Sequence, residues 1–331
     1  MEQKDVPRSC ISMEADQEDE FLQTLPRERI WEGTPYLYHF QGFWCPSWAF
    51  HGVISFQKHF QARDTDLIIA SVPKSGTTWS KALAFAIVNR NRYGFTANPL
   101  LTANPHDLVP FLEMDLYLDK NNLPNLEDRS DPRILATHLP YASLPVSIKD
   151  SGCRIVYVSR NPFDQLISHW HFLLKRSQEE AGPLVPLEHF FDMYCKGVHS
   201  NGPFWDHALG YWNASLENPN KVLFLKYEDM KEDVNLGYLK KLAVFLGFPF
   251  SADEERDGVI EQISRLCSFE NLKVLQANNT GKMKGGFQKS SLFRKGEVGD
   301  WVNYLTPSMA ERLKNQVEEK LAGSGLTFKA S

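Results

Sequence analysis

Leu67-Ile68-Ile69-Ala70-Ser71-Val72-Pro73-Lys74-Ser75-Gly76-Thr77-Thr78-Trp79 decides the fold of this chain. Five apolar residues, three of them β-branched, with a single serine among them read as a buried strand. Pro73 to Gly76 then read as a turn, and Trp79, Leu83, Ala86 and Ile87 recur at the i, i+4, i+7, i+8 spacing of a helix with one apolar face. A strand, a glycine turn and a hydroxyl-rich helix N-terminus form an anion cradle, because the unpaired first-turn N–H groups and the helix dipole point at whatever sits there. Lys74 adds a full charge, and Lys-Ser-Gly-Thr-Thr offers more donors than helix capping requires. The lysine precedes the glycine, so the motif is not the G-x-x-x-x-G-K-[ST] loop of nucleotide triphosphatases.

Outward from this segment, Ile134-Leu135-Ala136-Thr137, Arg154-Ile155-Val156-Tyr157-Val158 and Val222-Leu223-Phe224-Leu225-Lys226-Tyr227 are further near-continuous apolar runs separated by helix-period sequence. Such runs are the mark of a parallel sheet covered on both faces, so the class is α/β: a P-loop-like central parallel sheet flanked by helices. Asn161-Pro162, Ser251-Ala252-Asp253-Glu254 and Thr306-Pro307 mark helix starts. No repeat, Gly/Ser linker or low-complexity block divides the chain. A single domain is expected over residues 21–331, after a polar, increasingly acidic segment, 1–20, that is expected to be disordered. The strand ending at Ser159 runs into Arg160, with Ser168 two turns into the following helix, which suits a second phosphate. Two anion subsites predict a ligand phosphorylated at both ends.

Composition narrows the function further. The 331 residues carry 36 Lys+Arg against 41 Asp+Glu, a net charge of −5, which excludes a wholesale electrostatic nucleic-acid binder. Five widely spaced cysteines without a C-x-x-C pair argue against a disulfide framework or a zinc ribbon, and read as buried thiols in a reducing compartment. No run approaches the ~18 apolar residues of a membrane span, and the N-terminus lacks an apolar or Arg-rich targeting pattern, so a cytoplasmic protein is expected. Between Glu270 and Glu297 there is no acid, while Lys273, Lys282, Lys284, Lys289, Arg294 and Lys295 stand there. This run is expected to repel itself when empty and to close over an anion as a lid.

Pro73-Lys74-Ser75-Gly76-Thr77-Thr78-Trp79, Arg160-Asn161-Pro162 with Ser168, and Phe293-Arg294-Lys295-Gly296-Glu297-Val298-Gly299-Asp300-Trp301, in this order, closely resemble the cytosolic sulfotransferases. The resemblance runs from about Leu37 to the C-terminus. Tyr38-His39-Phe40-Gln41-Gly42-Phe43-Trp44 and Asn104-Pro105-His106-Asp107-Leu108-Val109-Pro110-Phe111 resemble the plant branch, with hydroxyjasmonate sulfotransferases the nearest pattern and flavonol sulfotransferases next. The resemblance implies transfer of the sulfuryl group of 3'-phosphoadenosine-5'-phosphosulfate to a small hydroxylated acceptor, without a metal. It implies that Lys74, Ser75, Gly76, Thr77, Thr78 and Trp79 hold the 5'-phosphosulfate, with Trp79 also stacking on adenine. Arg160, Ser168, Arg294, Lys295 and Gly296 take the 3'-phosphate, and Tyr227, Cys267 and Phe269 flank the adenine; Cys267 stands where the family usually has Thr. It places the catalytic base at His138, with Lys74 meeting charge on the bridging oxygen. Chemistry agrees with a histidine there, since a neutral hydroxyl is a poor nucleophile and an imidazole titrating near ~6.5 can take its proton. Many animal members carry a lysine two residues before this histidine, where Ala136 stands here.

Tyr38, Phe43, Trp44, Phe111 and Tyr141 are the expected walls of an apolar acceptor pocket. Two rival readings remain at this point. Tyr227-Glu228-Asp229 after an apolar strand could serve a kinase as a Mg²⁺ carboxylate, and the cradle could belong to a non-catalytic nucleotide-binding module. The stretch Val302 to Glu311 lacks the Lys and Val of the animal dimerisation motif, so a monomer is expected, with no nucleic-acid or membrane partner.

Overall fold

The computed structural model describes residues 15–119, 122–179, 182–233, 236–284 and 286–329. The aromatic stretch is a hairpin: β1 (Arg27–Arg29), β2 (Tyr36–Phe40) and β3 (Phe43–Pro46) form an antiparallel sheet in that order. Gln41 and Gly42 close it with φ of 50° and 83°, the two positive angles of a tight turn whose twist matches that of its strands. One face of the hairpin, with Tyr38, Phe40 and Phe43, packs on Phe50 of the Phe50–His59 helix; the Phe40 and Phe50 rings are 5.2 Å apart.

The four apolar runs become β4 (Leu67–Ala70), β5 (Ile134–Thr137), β6 (Arg154–Ser159) and β7 (Val222–Lys226), all parallel, in the order β5-β4-β6-β7. Their starts are locked by a buried pair: Arg133 donates through Nε to Asp66 at 2.6 Å and through a second nitrogen at 2.5 Å. Period-two alternation splits the core across the sheet. Leu67, Ile69, Ala136, Val156 and Leu223 face the Thr77–Asn89, Gly237–Leu246 and Val259–Leu266 helices, while Ile68, Leu135, Ile155 and Tyr157 face the hairpin layer. Because β4 is flanked by strands reached through opposite turns of the chain, the crevice beyond its carboxyl end is where such sheets hold ligands. The Pro73 turn, His138, Arg160 and Tyr227 follow β4, β5, β6 and β7, so all four meet at that edge.

The marked helix starts form as expected. Asn161 accepts from Phe163 N–H at 2.8 Å, Ser251 and Glu254 complete a capping box, and Thr306 accepts from Met309 N–H. The expected disorder of segment 1–20 is corrected at its end: Ala15–Thr24 is a helix, held by Phe21 against Phe40 and by Glu18 on His51 Nδ1 at 2.8 Å. The remainder, 1–14, lies outside the described residues. Cys45, Cys153, Cys195 and Cys267 are free and buried; Cys10 lies outside the described residues.

Five histidines, His106, His138, His169, His199 and His207, are buried. Burial pushes each below its ordinary value, to about 3 for His138 and His199 and about 4 for His207. A depressed histidine is neutral in the fold and protonates only in the unfolded chain. Its contribution is therefore present above pH ~6.5 and lost as the pH falls toward the folded value, amounting to about 2 kcal/mol by pH 5 for each of His138, His199 and His207. Glu113, raised by burial to about 7, acts in the opposite sense but is outnumbered. The urea midpoint is expected to drop markedly between pH 7 and pH 5; equal midpoints would mean that these rings titrate like solvated ones.

Candidate functional site

The strand ends open into one cavity of about 380 Å³. Lys74, Gly76, Thr77, Thr78, Trp79, Phe111, His138, Arg160, Ser168, Tyr227, Cys267, Phe269, Arg294, Lys295 and Gly296 line it together. Ser75 does not; it is fully buried behind the turn, with its Oγ lacking a partner among the described residues. Four of the expected acceptor walls are corrected. Tyr38 and Phe43 lie on the core face of the hairpin, the Trp44 ring lies tilted 5.0 Å from that of His39 on the opposite face, and Tyr141 packs edge-on against Tyr211. The hairpin reaches the cavity instead through its open end, by Leu37, Cys45 and Pro46, with Ile30, Trp48, Phe172 and Phe287 beside them.

The turn after β4 is wound for an anion. Lys74 and Gly76 have φ of 71° and 102°, and no side chain caps the helix that starts at Thr77. Thr77 Oγ1 is spent on Ser71 Oγ at 2.7 Å, which leaves the first-turn amides to the cavity. A Cβ on Gly76 would stand 2.7 Å from Tyr227 Cδ2, so both the backbone angle and the close ring require glycine. Gly76→Ala is therefore expected to abolish high-affinity nucleotide binding while the sheet persists; titration calorimetry with 3',5'-diphosphoadenosine checks it, and wild-type affinity would show that the turn is not the cradle.

Charge at the cavity is crowded and positive. Burial, then Arg160, Arg294 and Lys175, lower Lys74 to about 7; among the described residues its Nζ meets the Ser291 carbonyl at 3.3 Å and the face of Phe172. Arg160 donates one nitrogen to the Glu297 carbonyl at 2.7 Å and lies over the Tyr227 ring, while its buried Nε has no hydrogen-bond partner among the described residues. Such a donor set fits a multiply charged anion. The basic run, however, is not self-repelling. Asp300 pairs with both Arg294 and Lys295, Lys289 pairs with Asp107 at 2.6 Å, and Asp164 accepts from Gly299 N–H and Trp301 N–H. These acids lie outside the run, one three residues beyond it and others more than 100 residues away, so the local count missed them. Glu228, the rival metal carboxylate, accepts the Asn161 backbone N–H at 2.9 Å. Among the described residues no group of three potential metal ligands forms.

His138 is fixed by donor and acceptor bookkeeping. Its Nδ1 lies 2.6 Å from the Ser71 carbonyl, which can only accept, so the proton is on Nδ1 and Nε2 carries the free lone pair. Glu113 accepts the His138 backbone N–H at 2.7 Å, and His207 Nε2–H donates to its carbonyl at 2.9 Å. His207 Nδ1 then accepts, and the Tyr157 hydroxyl donates to it at 3.0 Å. The expected titration near ~6.5 is corrected: burial, then nearby Lys81, His207 and Lys74, hold His138 at about 3. Elsewhere in the cavity wall, Gly296 backs onto Phe269, where a Cβ would come within 2.6 Å of the ring, and the Tyr227 hydroxyl donates to the Gly296 carbonyl. Burial raises the Cys267 thiol, which stays neutral.

His106 and Glu113 line the cavity and Lys81 lies behind it against His106, and the sequence singled out none of the three. Lys81 is wholly buried and lowered to about 7, but nothing in its local pattern separates it from a surface lysine of an amphipathic helix.

A model of the sulfotransferase domain family matches residues 64–325. Cytosolic sulfotransferase 15 of Arabidopsis thaliana is 52% identical over 316 residues, covering 94% of this chain and 87% of that protein. Cytosolic sulfotransferase 14 of the same plant is 50% identical, with coverages of 94% and 90%. A crystal structure of an Arabidopsis thaliana putative steroid sulphotransferase superposes with a TM-score of 0.73 at 37% identity, covering 94% of each chain. Mouse sulfotransferase SULT7A1 complexed with PAP gives 0.66 at 28%, with coverages of 87% and 95%. Among the described residues no helix is long and apolar enough to cross a membrane. With its anion cradle, its crevice at the carboxyl edge of the sheet and these likenesses, the chain belongs to the plant cytosolic sulfotransferase family and is a 3'-phosphoadenosine-5'-phosphosulfate-dependent enzyme.

Proposed function

We propose that the acceptor is a small, largely apolar hydroxylated metabolite of the hydroxyjasmonate type, and that His138 is the general base. The observation that carries the base is the tautomer: with Nδ1–H committed to Ser71, Nε2 is the basic atom of a residue that lines the cavity. The donor supplies an activated sulfuryl group on a good leaving phosphate. The acceptor hydroxyl gives its proton to Nε2 as its oxygen bonds to sulfur; the bond from sulfur to the bridging oxygen breaks, and its electron pair leaves with 3',5'-diphosphoadenosine. Lys74 and the amides at Thr77 and Thr78 meet the charge that develops there, and Arg160, Ser168, Arg294 and Lys295 hold the 3'-phosphate. Trp79, Tyr227 and Phe269 enclose the base of the nucleotide.

The acceptor reading is supported by the cavity's far wall, where Ile30, Leu37, Trp48, Phe172 and Phe287 leave few polar anchors. A panel of hydroxylated acids, flavonols and steroids, assayed with a sulfur-labelled donor, tests it. The hydroxylated acid is expected to give the highest kcat/KM; preference for a steroid or flavonol would overturn the acceptor class and leave the base untouched.

A further inference from the structure

Burying an ammonium outside a salt bridge is costly, and Lys81 is such a group. It is fully buried in the Thr77–Asn89 helix, and among the described residues no acid comes within salt-bridge distance, although Asp115, Glu113 and Asp107 favour its charge from further away. Its Nζ sits 3.2 Å over the Phe111 ring and 3.0 Å from His106 Nδ1. Below about pH 7 Lys81 is an ammonium, which can only donate, so His106 Nδ1 accepts and the His106 proton is on Nε2. That Nε2–H is 2.9 Å from Thr78 Oγ1, which therefore accepts. The Thr78 hydroxyl proton is thereby turned away from His106 and is left for the cavity that Thr78 lines.

His106 is itself held in place. Asn104 Oδ1 accepts the His106 backbone N–H at 2.9 Å, and Asn104 Nδ2 donates to Asn278 Oδ1 at 2.8 Å, with both asparagines buried. The result is a directed chain, Lys81 to His106 to Thr78, that ends at the anion cradle.

We propose that Lys81 and His106 are positioning residues which aim the Thr78 hydroxyl at the 5'-phosphate of the donor and set a buried positive charge behind it. This rests on the reading that the Lys74 to Trp79 turn holds the 5' end. Each hydrogen bond polarises the next, so a cation at the head of the chain strengthens the donor at its tail. The alternative use of the lysine is mere filling of space beside Phe111, which a methionine performs without the cost of burying a charge.

The experiment measures the affinity of 3',5'-diphosphoadenosine and of adenosine 3'-monophosphate for the wild type, Thr78→Val, Lys81→Met and the double variant. Thr78→Val and Lys81→Met are each expected to weaken the diphosphate about 10-fold and the monophosphate less than about 2-fold. The double variant is expected to be no weaker than Thr78→Val alone, because the chain has one outlet. His106→Phe, which breaks the chain while keeping the charge, is expected to reproduce the Lys81→Met loss. If Thr78→Val changes the ratio of the two affinities but Lys81→Met does not, or if their effects add, the relay is overturned. A merely structural lysine would lower both affinities together. If Thr78→Val itself leaves the ratio unchanged, it is the 5'-phosphate reading of the turn that fails.

Discussion

Substituting His138 by alanine is expected to lower kcat by ~10²–10⁴-fold, the contribution of a positioned proton acceptor, with affinity for 3',5'-diphosphoadenosine kept within about twofold. The separation follows from where the contacts lie. What holds this segment in place is backbone: Glu113 on the His138 N–H and His207 on its carbonyl, both of which survive truncation. The anion cradle is built from other residues. The same geometry sets the pH dependence. A base held at about 3 is neutral throughout the physiological range, so it is expected to give kcat/KM no acid limb between pH 7 and about 5 in the time before acid unfolding. Lys74, lowered to about 7 in the empty cavity, is charged below that pH and loses its proton above it, so kcat/KM is expected to fall as the pH rises beyond about 7. An acid limb centred near pH 6.5 would place the base in solvent, and wild-type turnover in the alanine variant would remove His138 from the role.

What the sequence made legible is what is local. The four strands and their parallel class followed from unbroken apolar runs; of the residues just past the strand ends, Lys74 and Arg160 followed from local anion-binding patterns, whereas His138 and Tyr227 came with the resemblance to the sulfotransferases. The acceptor wall was not legible, because Tyr38 and Leu37 are neighbours in sequence and opposites on the pleat; only the register against β3 shows which one the cavity receives. Counter-charges were hidden for a similar reason. Asp300 and Asp107 neutralise a run that reads as free cations, and their pairing is a property of the fold. Burial holds His138 well below the ordinary histidine value, which no motif encodes.

Arg160→Ala is expected to cost the nucleotide site its preference for a 3'-phosphate. The guanidinium comes from the end of β6, is buried, and is held from two sides, by the Glu297 carbonyl and by the face of Tyr227. These contacts occupy one nitrogen and one flat side, which leaves the rest of the planar fork for a bidentate partner. Removing it leaves Arg294 and Lys295, but Asp300 already shares their charge, so they are poor substitutes. The loss of a charge-assisted contact of ~1.5–3 kcal/mol predicts a fall of roughly 10- to 150-fold in affinity for 3',5'-diphosphoadenosine. Adenosine 5'-monophosphate, which lacks the 3' group, is expected to bind the variant and the wild type alike. Arg160→Lys separates charge from geometry, because a lysine restores a point charge without the fork and is expected to recover only part of the loss. Equal losses toward both nucleotides would show that Arg160 touches the base, the ribose or the 5' end, and the two-ended anion site would then have to be rebuilt around Arg294 and Lys295.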